Sequence, residues 1–193
     1  MVKALVKKAI AMGIVQDENS DIYEYGVEDL LHSLFAWGVF LIAGLCINMF
    51  WQMCLFMLMH IPFRIYAGGL HFATRFRCFC ASVIIFAVVF TLPCLFTIQK
   101  LAIAMMCLLI PNLIITWLLA PVEDLRKPLN SKERKHHRKV SLAICFVGVI
   151  ASVICYLLCA YQATYFIGAA IMVVASQLVT GKLKNSVFRF SIK

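Results

Sequence analysis

Hydrophobic and polar positions along the chain alternate in blocks, as long apolar runs separated by short polar stretches. From Leu30 to Phe63, 34 residues pass without Lys, Arg, Asp or Glu. Phe79–Ile98 and Leu101–Ala120 are two further charge-free runs joined at Gln99 and Lys100, and Val140–Tyr161 and Thr164–Thr180 form a second pair around Gln162. A helix crosses the hydrocarbon core in about 20 residues, so these four runs predict four spans in two hairpins. The Leu30–Phe63 run is too long for one ordinary span and short for two. With Asn48 near its middle, it reads as two short spans, a re-entrant hairpin or one long tilted helix. Pro93 and Pro111 fall inside spans and are expected to bend them, neighbouring helices satisfying the freed carbonyls.

Ahead of these runs, Val2, Leu5, Val6, Ile10 and Ile14 lie near one helical face, with Lys3, Lys7 and Lys8 elsewhere. That pattern predicts an amphipathic helix lying on the membrane surface. The acidic stretch Asp17–Asp29 reads as a polar connection and a short helix. The first apolar run is short and broken by lysines, so no cleavable signal peptide is expected. The expected fold is an all-α integral membrane protein: an N-terminal interfacial helix followed by five or six membrane-embedded helices in a single membrane domain over 1–193. Its segments are 1–29 (amphipathic and acidic), 30–63 (apolar), 64–78 (a polar loop or helix), 79–120 (hairpin), 121–139 (basic loop), 140–181 (hairpin) and 182–193 (basic tail).

Composition agrees with this pattern. Of the 193 residues, 63% are hydrophobic and 14% charged, whereas a soluble domain is about 45–50% apolar and about 25% charged. Such a chain cannot cover its surface with polar groups, so the lipid bilayer must cover it. The net charge of +9 is segregated: six acids lie between Asp17 and Asp29, and seven of the eighteen bases between Arg126 and Lys139. Basic runs abutting apolar spans are cytoplasmic loops facing anionic lipid rather than a nucleic-acid surface. The positive-inside rule then places residues 121–139, the 64–78 loop (Arg64, Arg75, Arg77) and the tail (Lys182, Lys184, Arg189, Lys193) on the cytoplasmic side. If the N-terminal lysines are also inside, Leu30–Phe63 must enter and leave on one side, which favours the hairpin. Cys46, Cys54, Cys94, Cys107, Cys145, Cys155 and Cys159 sit inside apolar runs and read as small hydrophobic packing residues. There is no C-x-x-C, H-E-x-x-H or zinc-finger spacing, so neither a metal nor any other cofactor is expected.

With no large extramembrane domain, chemistry is confined to the membrane face. The informative segment runs from Arg64 to Cys80. Gly68-Gly69 can break a helix and take positive φ. His71, Thr74, Arg75 and Cys78 then follow at i, i+3, i+4 and i+7, which predicts one shared helical face, with Cys80 on the opposite side. A Cys–His pair makes a nucleophile: the thiolate attacks, and a neighbouring imidazole or guanidinium (Arg75, Arg77) lowers the thiol pKa, aided by a helix N-terminus. Seven helical residues, however, separate the two Cα atoms by about 10.5 Å along the axis. The dyad therefore needs a distorted helix or closure on substrate. A polar boundary histidine and a packing thiol fit the same spacing.

The segment resembles the signature of the accessory gene regulator protein B (AgrB) family, membrane peptidases of Gram-positive quorum sensing, in Arg64, Ala67-Gly68-Gly69, His71 and Cys78. A second stretch, Ala120-Pro121-Val122-Glu123-Asp124-Leu125-Arg126-Lys127-Pro128-Leu129, is similar to that family's Pro-Val-Asp…Asn-Lys-Pro loop, with Glu123 in place of Asp and Arg126 where Asn is common. The order of spans and the chain length agree with the family over nearly the whole chain. The resemblance implies a cysteine endopeptidase of the cell membrane acting on a short, membrane-bound AgrD-like propeptide, with Cys78 as nucleophile and His71 as general base. It also implies cleavage of an acidic C-terminal tail, ring closure of the peptide to a thiolactone or lactone, and a homodimer. Lys127, Lys132, Arg134, Lys135 and Arg138 are candidates to hold the tail, or merely fix topology. Glu123 or Asp124 is the candidate third member orienting His71. His136 and His137 read as surface residues. The alternative is a small peptide transporter without covalent chemistry. Against it, the clear spans hold few polar groups near mid-membrane, among them Asn112, Thr116, Ser152 and Ser176, and no acid or base for ion coupling.

Overall fold

A computed structural model describes residues 20–70, 74–123 and 129–191. The interfacial helix expected over residues 1–15 lies outside them. Six helices run through the described residues: α1 (Ser20–Cys46), α2 (Phe50–Ala67), α3 (Arg75–Leu95), α4 (Ile98–Leu119), α5 (Ser131–Leu157) and α6 (Tyr161–Ser191). All but α2 are long and apolar enough to cross a membrane. The chain is a multi-pass, all-α membrane protein.

The chain divides into two compact units, residues 1–50 and 51–193. The first holds α1, whose opening turns carry Asp21, Glu24, Glu28 and Asp29, so the acidic stretch starts a long helix instead of forming a short one of its own. α1 stops where Asn48 takes a left-handed conformation (φ 56°), a conformation short polar side chains tolerate and helix ends favour. Phe50 begins α2. The run 30–63 is thus two helices, and the single long helix is excluded.

The second unit is built around α6, which packs against α4 and α5. Its core joins Phe63 and Ala67 of α2, Leu109 of α4, Cys145 of α5, and Ile167, Ile171, Val174 and Leu178 of α6. Close approach depends on small residues, the usual means of helix association in lipid. A Cβ on Gly168 would stand 2.6 Å from Met105 Cβ, and one on Gly148 would stand 3.1 Å from Ile171 Cδ1. Ser141, Cys145, Gly148 and Ser152 form the buried stripe of α5. Hydroxyls across this seam bond helix to helix: Ser152 Oγ donates to Thr164 O (3.4 Å), and Cys145 Sγ lies 3.8 Å from Thr116 Oγ1. Among the nine cysteines, all free, only Cys145 is buried; Cys46, Cys94, Cys107 and Cys159 face outward.

Both hairpin turns fall earlier than the polar residues suggest. Phe96 and Thr97 separate α3 from α4, so Gln99 and Lys100 lie in the first turn of α4. Leu158–Ala160 separates α5 from α6, with Cys159 at φ 58° and Gln162 already helical. Polar side chains mark the membrane boundary, and the first turn of a helix, whose N–H groups lack intrahelical partners, accommodates them there. Residues 131–139, expected in a loop, are the opening turns of α5, started by Glu133 Oε2 accepting from Asn130 N–H at 2.9 Å.

Candidate functional site

The two sequence motifs meet in space. α2 ends at Ala67, and Gly68 (φ 72°) and Gly69 (φ 122°) take conformations that L side chains rarely adopt. The turn pairs with the chain between α4 and α5: Val122 N–H donates to Ala67 O (2.9 Å), and Gly69 N–H donates to Val122 O (3.1 Å). The glycines permit this approach, since a Cβ on Gly68 would stand 2.1 Å from Val122 O and one on Gly69 2.9 Å from Gln177 O of α6. Arg64, one turn before the end of α2, donates to the carbonyls of Gly68 and Leu70 and so closes the turn from inside. The Val122 N–H bond to Ala67 O in turn occupies one of the last helical carbonyls, which have no intrahelical partner.

The partner loop is anchored in turn. Val122 is buried. Glu123 is held twice, by Arg134 Nε on its carboxylate and by Asn185 Nδ2 on its main-chain carbonyl (2.9 Å). Asp124 and Lys127 lie outside the described residues.

Cys78 sits, exposed, in the first turn of α3. Thr74 caps that helix from an extended conformation (φ −126°, ψ 145°), its side chain accepting from Arg77 N–H at 3.4 Å. The single helical face expected from His71 through Cys78 is therefore not formed, because Thr74 is not helical. His71 itself lies outside the described residues. Cys78 stands at the positive end of α3, and the half-buried Arg64 interacts with it electrostatically. Arg77 is exposed in the same turn, Arg75 is the first residue of the helix, and Cys80 is half-buried two residues further on.

The basic residues are placed by α5. Lys132, Arg134 and Lys135 are exposed on its opening turns, and Arg138 donates to Trp117 O (3.1 Å) at the end of α4. His136 and His137 are not merely solvated: Tyr66, in the last turn of α2, packs edge-on against both, with ring centroids 6.1 and 5.3 Å apart. A cavity of about 530 Å³ opens at the other end of the unit, lined by Trp51, Gln52, Leu55, Ile98, Tyr161 and Phe166 among others, and no candidate site residue borders it.

Sequence reading missed the residues that join the motifs, namely Val122 as the pairing partner and Gln177, Gly181 and Asn185 of α6. A signal was present in the last three, which recur at i, i+4 and i+8 and so share one face of a helix. No curated protein and no solved structure matches the chain. The family described as accessory gene regulator B matches residues 1–180. That match includes the glycine turn, Cys78 and the Pro121–Glu123 loop, so the chain belongs to the accessory gene regulator B family, with its role in quorum-sensing peptide processing.

Proposed function

We propose that this chain is a membrane cysteine endopeptidase that removes the C-terminal tail of a short AgrD-like propeptide and hands the remainder on for cyclisation. The observation that carries the reading is the position of Cys78: an exposed thiol in the first turn of a helix, within the electrostatic reach of a guanidinium held in place by two main-chain carbonyls. Positive potential from Arg64 and the helix start complements a thiolate nucleophile. Cys78 Sγ attacks the carbonyl carbon of the scissile bond, and His71 takes the thiol proton and returns it to the departing amine. The tail leaves, and the peptide stays on Cys78 as a thioester. A cysteine or serine side chain of the peptide then attacks that thioester. The new ring closes as a thiolactone or lactone, and Cys78 regains its proton. The thioester conserves much of the activation of the bond it replaced, so no ATP enters the reaction.

The acidic tail is drawn to the basic face by Lys132 and Lys135, both exposed. Arg134, occupied by Glu123, contributes less. The enzyme works at the cytoplasmic face of a Gram-positive cell membrane, with both termini inside and a second copy as partner. Intact mass spectrometry of the reconstituted chain with its propeptide tests this. Wild type and Cys80→Ala should carry a peptide adduct and release the tail, and Cys78→Ala should do neither. Tail release at the wild-type rate by Cys78→Ala, or by His71→Ala, removes that residue from the mechanism. A verified propeptide left uncleaved by every form returns the transporter reading.

A further inference from the structure

We infer that the membrane-exit end of α6, through Gly181 and Asn185, positions the catalytic turn; this rests on the peptidase reading above. Both residues lie beyond the stretch that matches the family, which ends at residue 180. They belong to a stripe, Gln177, Gly181 and Asn185, that faces the site at three successive levels. At the first, the Gln177 carbonyl stands 2.9 Å from where a Gly69 Cβ would be. At the second, Gly181 is buried with its own missing Cβ 2.6 Å from Gly69 C and 2.8 Å from Leu70 N, so the backbones of helix and turn touch. At the third, Asn185 Nδ2 donates to Glu123 O (2.9 Å).

These contacts form one mechanical chain. Asn185 fixes Glu123, whose neighbour Val122 uses both its N–H and its carbonyl to pair with Ala67 and Gly69. The paired turn presents the carbonyls of Gly68 and Leu70 to Arg64, which interacts electrostatically with Cys78. Leu70 directly precedes His71 in the sequence. A shift of the α6 end therefore moves the glycine turn and the Arg64 guanidinium bound to its carbonyls. Asn185 and Gly181 are positioning residues: neither touches the reacting atoms.

The test uses the full chain in lipid with its propeptide. Asn185→Asp is isosteric, removes the donor and sets a carboxylate against the Glu123 carbonyl, and should lower kcat about tenfold with KM nearly unchanged. Gly181→Val, which forces the backbones apart, should lower kcat about a hundredfold. Leu183→Ala, on the exposed side of the same turn, should leave kcat unaltered, and Asn185→Gln, which keeps an amide donor, should recover most of the loss. A purely structural role would leave the turn's own dynamics alone. Hydrogen exchange at the Gly69 and Val122 amides should accelerate in Asn185→Asp while the spans keep their protection. Wild-type kcat in Asn185→Asp, or a lowered kcat with unchanged exchange at Gly69 and Val122, overturns the positioning role and leaves the peptidase reading standing. Cleavage by Cys78→Ala at the wild-type rate overturns both.

Discussion

α3 and α6 are both long apolar helices, and they use their apolarity in opposite ways. In α6, 67% of the apolar window is buried inside the protein, and in α3 only 11%. In water the apolar helix is the one that buries; here the bilayer is as apolar as the core, and hydrophobicity alone gives a helix no reason to prefer protein to lipid. What separates the two is shape and polarity. α6 carries Gly168, Ala169, Ala170, Ala175 and Gly181 on contact surfaces, which let backbones approach, whereas α3 presents Val83, Ile84, Val88 and Leu95 outward. α3 is tied to α6 by the Tyr165 hydroxyl, which donates to Val89 O at 2.7 Å, and by the ring contact of Phe90 with Phe166 at 4.9 Å. The helix carrying the proposed nucleophile is thus lightly held at the edge of the unit, and the helix supporting the glycine turn is its central post.

That contrast is broken most severely at Gly168. A Gly168→Val side chain meets Met105 Cβ across the α4–α6 seam, and overpacking of this kind costs about 1–3 kcal/mol. Reversible unfolding in mixed detergent micelles should show that loss, while Ile84→Ala on the lipid face of α3 should change stability by less than about 0.5 kcal/mol. Equal losses at both positions would mean that α3 packs as α6 does. A smaller effect is expected from Tyr165→Phe, which deletes the hydroxyl bonded to Val89 O. Interhelical hydrogen bonds in membranes are worth about 0.6 kcal/mol on average, so stability should fall by about that much. The loosened tie should also quicken alkylation of Cys78 without altering Cys145, which is buried.

The comparison also explains what could be read from the chain and what could not. Spans were legible because a run of about 20 apolar residues matches the thickness of the hydrocarbon core. The turns were misplaced because Gln99, Lys100 and Gln162 report the boundary with water, and the conformations that end the helices belong to Phe96, Thr97 and Cys159. Both site motifs were legible as residues. Their pairing was not, since Gly68 and Val122 are distant in sequence and meet through main-chain bonds that depend on side chains only through the absence of Cβ. The buried stripe Ser141, Cys145, Gly148 and Ser152 was also unread as a seam, although its spacing of four, three and four residues is that of a helix face.

Glu123 gives the smallest expected effect and the sharpest use of the contrast. If its carboxylate oriented His71 as the third member of a triad, Glu123→Gln would cost activity by orders of magnitude, as loss of such a group does elsewhere. Its carboxylate instead receives Arg134 Nε, and that arginine side chain is 61% exposed. Pairs with one partner this exposed contribute little, and the loop keeps its other tie, the Asn185 bond to the Glu123 carbonyl, which the substitution leaves intact. Glu123→Gln should therefore retain tail cleavage within about threefold of wild type, with the remaining difference shrinking as ionic strength rises. Loss of more than a hundredfold would return Glu123 to the catalytic group and detach it from Arg134 during the reaction. Retention would leave its role as an anchor, joining the opening of α5 to the loop that α6 holds against the glycine turn.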